Sequence, residues 1–147
     1  MSSRVRTRID IAAPIDVVFA FFDDLANAAV LVPSLGEITA VESLTSGGRR
    51  VEYTTRDRAG QLHDASSEHL VYDPPTCTVT RNIQSGVVTT MTRTFQPVGH
   101  TTRVTATVEW EIPVRSVARL IAAPLRGPYR RGLRHSLRAA DQSLTTG

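Results

Sequence analysis

The sequence contains no lysine and only one cysteine. Without lysine, no Schiff base can form on the chain. With Cys77 alone, no internal disulfide is available. All 17 basic residues are therefore arginines, a bias most simply read as that of a GC-rich bacterial genome. Long apolar runs are also missing. The longest, Val17–Phe22 and Ala28–Val32, fall far short of the roughly 20 residues that span a bilayer. Met1-Ser2-Ser3-Arg4 leads into an alternating segment rather than an apolar signal core, so the expected location is the cytoplasm. No GxxxxGK[ST] loop and no nucleophile elbow occurs. His63 and His69 stand six residues apart on one expected strand, about 20 Å at 3.3 Å per residue, too far to share an ion. His100 falls in an expected turn and His135 on the last helix. Neither a metal nor another cofactor is expected. Ser67 and His69 sit about 7 Å apart along the same strand and read as ordinary strand residues rather than a catalytic pair.

What is present is strong periodicity. At 147 residues, 41% hydrophobic and 21% charged, the chain is expected to form one globular domain over 1–147. Residues 4–11 alternate, with Val5, Thr7, Ile9 and Ile11 on one face and charges on the other, which predicts a half-buried strand. Pro14 suits a helix start. It opens a short helix over Ile15–Phe22 with Val18, Phe19 and Phe22 at core spacing. Asp24 is placed to cap a second short helix over Leu25–Val32. Strands are then expected at Glu37–Ser43, Arg49–Arg56, Gln61–Tyr72, Thr76–Gln84, Val87–Gln96 and Thr101–Ile112. The short breaks between them carry turn residues, so the strands should form an antiparallel meander. From Arg115 to Leu144 the period becomes helical. Pro124 and Gly127-Pro128 predict a bend or break in that helix.

Four local segments carry a resemblance to a known family: Ile11-Ala-Ala-Pro14 with Val17–Asp23, Val32-Pro-Ser-Leu-Gly36, Tyr72-Asp-Pro-Pro75, and Phe95-Gln-Pro-Val-Gly99 with Thr102-Arg-Val104. In their order and spacing the chain resembles the SRPBCC superfamily, in its polyketide cyclase/dehydrase-like branch. The resemblance implies an α+β helix-grip fold of the START/Bet v 1-like type. A seven-stranded curved antiparallel sheet would wrap around a long C-terminal helix, with two short helices after strand 1 and a cavity inside. It implies a fold and not an activity. The chain departs from its relatives in having no aromatic residue over Leu25–Val32 and in Gly127-Pro128.

Strand alternation then selects the cavity wall. In Thr101–Ile112, the set Val104, Ala106, Val108, Trp110 and Ile112 should face inward. Val51 and Tyr53, with Thr55, should do so from Arg49–Arg56. In Val87–Gln96, an inward Met91 and Phe95 bring Arg93 with them. In Thr76–Gln84, the apolar set Cys77, Val79 and Ile83 brings Arg81 with it. An inward arginine needs a carboxylate, water or ligand partner, since a buried unpaired charge costs several kcal/mol. The alternative is an arginine at the rim with its head in water. For Gln61–Tyr72 neither face is clearly apolar, and a bulge would mix them. One register offers Glu68 as a partner for an inward arginine, and the other offers His69 as an acid/base. Leu120 and Pro124 would add to the ligand-binding surface from the last helix.

Two functions are compatible with such a cavity. The first is binding or transport of a small hydrophobic ligand: a lipid, an isoprenoid or a polyketide. The second, implied by the resemblance, is a polyketide cyclase/dehydrase-type enzyme, with Arg93, Glu68, His69 and Tyr53 as candidate catalytic residues. A third reading starts from Arg115–Arg138, which holds seven arginines and no acidic residue. Such a face can meet anionic membrane or RNA. A solvated outer helix face is preferred from sequence, because charge runs usually are that. The net charge of +3 is mild, and no DNA partner is expected. Both a monomer and a homodimer are compatible with the sequence.

Overall fold

The computed structural model describes the backbone of residues 2–111 and 115–145 and the side chains of residues 3–110 and 126–145. The chain order is β1 (Ser2–Ile11), α1 (Ile15–Asp23), a 3-10 turn (Leu25–Asn27), α2 (Ala28–Leu31), β2 (Leu35–Ser43), β3 (Arg49–Arg56), β4 (Leu62–Asp73), β5 (Cys77–Gln84), β6 (Val87–Val98), β7 (Thr101–Glu111) and α3 (Arg115–Thr145). The strands form one curved antiparallel sheet in the order β1-β7-β6-β5-β4-β3-β2. The meander is the expected one, and β1 closes it by pairing with β7 from Ser2↔Glu111 to Ile11↔Thr102. The helix-grip arrangement read from sequence is therefore the observed fold.

Two elements differ from expectation. The second short helix is a 3-10 turn followed by a single α-helical turn. Asp24 does cap it, its Oδ1 accepting from the Ala26 N–H at 2.9 Å. The last helix runs without a break from Arg115 to Thr145, so Pro124 and Gly127-Pro128 lie within it. A proline removes one backbone donor, and the apolar stripe that follows it anchors the helix to the sheet.

The solid core lies at one side of the sheet. Val5 and Ile11 of β1, Val104, Ala106, Val108 and Trp110 of β7, and Leu133, Leu137 and Ala140 of α3 are all buried. Complete burial of the valine, isoleucine and leucine side chains among these contributes about 1.5–3 kcal/mol each. α1 adds Val18, Phe19 and Phe22. Phe19 and Phe22 meet Phe95 edge-on, with centroids 5.1 and 5.7 Å apart. The buried Thr102 hydroxyl donates to the Ala13 carbonyl at 2.7 Å and ties the start of α1 to β7. Because α3 packs chiefly on β1, the inner face of β3–β6 is left to enclose space.

Candidate functional site

A cavity of about 430 Å³ lies between β2–β7, α1, α2 and the middle of α3. Its shape follows from register. Three cross-strand rows run over its wall: Ser67, Asn82 and Thr89; His69, Thr80, Met91 and Val108; and Tyr72, Thr78, Arg93 and Ala106. Phe22 and Leu31 face the wall from the helices, and Tyr129 closes it from α3. The strand wall is thus rich in hydroxyls and amides, and Phe22, Leu31 and Tyr129 meet it with apolar or aromatic surface.

Arg93 sits in the last of these rows. Its guanidinium carbon lies 5.0 Å from the centre of the Phe22 ring, a cation–π contact. Its Nε is buried and has no hydrogen-bond partner. Among the described residues no carboxylate forms an ion pair with it. Burial lowers its pKa to about 10, so it remains a cation at neutral pH. Arg93 is therefore a part-buried positive charge that faces a cavity and, among the described residues, lacks a protein counter-ion.

A polar clasp stands beside it. Asp23, at the end of α1, accepts from the Tyr72 hydroxyl at 2.7 Å and pairs with Arg49 at 3.5 Å. Arg49 also donates to the Asp23 carbonyl. The backbone N–H of Arg49 donates to Nδ1 of His69 at 3.0 Å. An accepting Nδ1 leaves the imidazole proton on Nε2. Burial, with the positive charge of Arg49, holds the His69 pKa below its ordinary value; Asp23 opposes this and Arg93 adds to it. His69 is thereby a neutral ring with an N–H donor. Gly48 makes this placement possible, since a Cβ there would come within 2.6 Å of His69 Cβ.

A second polar group marks the Ser67 row. Ser67 Oγ lies 2.5 Å from Asn82 Oδ1 and 3.2 Å from the Tyr53 hydroxyl. Arg93 and Thr89 are four residues apart on β6, so the cationic end and this polar row are separated by about 13 Å.

The structure brings together Val51, Tyr53, His69, Met91, Arg93, Phe95 and Val108 from the residues read in sequence. It removes three others. Arg81 is exposed on the outer face, because the even, polar residues of β5 (Thr78, Thr80, Asn82 and Gln84) line the cavity instead. Glu68 also lies on the outer face, between Arg50 and Arg81 in register, and offers Arg93 no carboxylate. Trp110 is 2% exposed and packs in the solid core against Tyr129, centroids 4.8 Å apart, rather than lining the hollow. The Leu120 and Pro124 side chains lie outside the described residues.

The ambiguity of β4 resolves through a bulge. His69 pairs with Thr80 and Val71 with Val79, so Leu70 is the extra residue. Before the bulge the odd residues face inward, and after it Tyr72 does, with its ring 4.9 Å from that of His69. Sequence reading missed Asp23, Arg49, Ser67 and the polar face of β5. The alternation in 76–84 holds the signal, because its apolar set faces inward only where a strand meets a core, and here the polar set lines a hollow.

This architecture, a curved sheet gripping a helix around a cavity, defines the class of helix-grip domains. Residues 2–140 match the family model described as polyketide cyclase / dehydrase and lipid transport, and the chain belongs to that family. No curated protein matches it by sequence. Among solved structures it is similar to the Zhui aromatase/cyclase from Streptomyces sp. R1128, at 16% identity and TM-score 0.79, covering 98% of this chain and 94% of that one. It is similar also to the di-domain aromatase/cyclase StfQ from the steffimycin biosynthetic pathway, at 17% identity and TM-score 0.79, where it covers 99% of this chain and 51% of that one. The chain thus spans about half of that protein. A protein from Thermus thermophilus is similar at 20% identity and TM-score 0.71, with 98% of both chains covered. At these identities the likeness speaks to the fold.

Proposed function

We propose that the chain binds a small, mostly apolar molecule (a lipid, isoprenoid or polyketide) whose carbonyl or carboxylate accepts from Arg93. The observation that carries this reading is the cavity-facing guanidinium without a counter-ion among the described residues. A buried charge of this kind is costly unless something pairs with it, and an arginine fork matches a carboxylate in two parallel hydrogen bonds. The cavity volume of about 430 Å³ falls within the range for small-molecule sites. Ser67, Asn82 and Thr89 would meet further oxygens on the ligand.

A cyclase/dehydrase reading draws support from His69. A neutral imidazole with its proton on Nε2 can polarise a carbonyl beside Arg93. What favours binding over catalysis is that no free carboxylate base lines the cavity among the described residues. Of the carboxylates that line the cavity, Asp23 is held by Arg49 and Tyr72, and Asp24 caps the turn after α1.

Native mass spectrometry of the purified protein tests the proposal. The wild type should carry a co-purifying small molecule that mild organic extraction releases, and Arg93→Leu should lose it. An Arg93→Leu protein that retains the same ligand at the same occupancy would contradict the proposed anchor.

A further inference from the structure

The outer face of α3 carries charge that the cavity does not use. Arg126, Arg130, Arg131, Arg134, His135 and Arg138 are all exposed. Over 126–138 there is no acidic residue, and among the described residues none of these arginines forms an ion pair. Arg131, Arg134, His135 and Arg138 follow i, i+3, i+4, i+7 spacing and so share one face. Together they form an open basic surface on α3. The buried stripe of the same helix, Leu133, Leu137 and Ala140, is already committed to the core, so this face is peripheral by construction.

Beside the basic stripe lies an apolar edge. His135 Nε2 is 3.2 Å from the Val30 carbonyl oxygen, which sets α2 directly against the stripe. Val30 is 47% exposed and Val32 40% exposed. The same short segment forms part of the cavity wall through Ala28, Leu31 and Val32, as does α3 through Tyr129. Arginines, exposed valines and the cavity rim are therefore contiguous.

We infer that this face docks on an anionic lipid bilayer. The arginine forks would meet headgroup phosphates, and Val30 and Val32 would enter the boundary between headgroups and acyl chains. The cavity rim would then face the surface from which an apolar molecule would be exchanged. No helix among the described residues is long and apolar enough to cross a membrane, so the contact is interfacial. The valines select a bilayer over RNA. Nucleic acid would draw on the charges but gain nothing from exposed aliphatic side chains, and single-strand binders present aromatic side chains for stacking. The surface stands independently of what the cavity holds.

Co-sedimentation with vesicles of phosphatidylcholine alone, and of phosphatidylcholine with phosphatidylglycerol, tests it. The protein should bind only the second, with affinity falling steeply as salt is added. The triple change Arg131→Gln, Arg134→Gln and Arg138→Gln should weaken binding on the order of a hundredfold. The same three positions changed to Lys should retain most of it, with unchanged circular dichroism as the folding control. Val30→Ser should weaken binding severalfold. No binding to the anionic vesicles, or equal binding by the Gln variant, overturns the inference. So does displacement of bound protein by a short RNA at lower concentration than phosphatidylglycerol vesicles require.

Discussion

The Arg49 backbone amide donates to Nδ1 of His69 at 3.0 Å, so a main-chain group of β3 fixes the tautomer of a side chain on β4. Protonating that ring would turn the accepting nitrogen into a donor facing a donor. Burial and the Arg49 charge hold the His69 pKa below its ordinary 6.5. Nitrogen-15 NMR should show the proton on Nε2 and a titration midpoint below that of a model histidine. The sign for stability follows. As pH falls through about 6.5 the unfolded chain takes up a proton that the native state refuses. The His69 contribution therefore declines with falling pH and levels off once the native ring also protonates. A midpoint at or above 6.5 would contradict the assignment.

Gly48 supplies the space for that ring. A methyl at 48 would approach His69 Cβ to 2.6 Å and Nδ1 to 2.9 Å. Gly48→Ala should cost about 1–3 kcal/mol in urea denaturation, as overpacking does. It should also shift the His69 nitrogen resonances. An unchanged midpoint with unchanged resonances would mean that the close approach does not exist.

Arg93 separates stability from function. Burial lowers its pKa to about 10, no carboxylate among the described residues pairs with it, and the centre of the Phe22 ring lies 5.0 Å from its guanidinium carbon. Arg93→Met keeps the stem and removes the charge, so it should raise stability by about 1 kcal/mol or more in the ligand-free protein. The measurement is a thermal melt of extracted protein. A clear loss of stability would show that the charge serves the fold.

The meander of β2 to β7 and the inward face of β7 were legible in sequence, because alternation with turn residues between strands has one solution when a face is buried. The same logic failed at β5. There the apolar set Val79 and Ile83 points outward, with Ile83 37% exposed. A strand that walls a hollow does not need its apolar side inward, and polarity toward a ligand is compatible with the fold. At β4 the alternation carried no answer, since one extra residue at Leu70 changes which set faces in. Asp23 was readable as a helix end but not as the partner of Arg49 and Tyr72. Those three residues are distant in sequence and meet only once the sheet curves under α1.

The most direct test uses two fluorescent naphthalenes of similar size, one bearing a sulfonate (1-anilinonaphthalene-8-sulfonate) and one uncharged (N-phenyl-1-naphthylamine). Both should bind the extracted wild type at one saturable site. Arg93→Met should weaken the sulfonate probe by roughly tenfold or more, the scale of a lost charge-assisted hydrogen bond, and leave the uncharged probe unchanged. Equal affinities of the two proteins for the sulfonate probe would contradict an Arg93-anchored cavity.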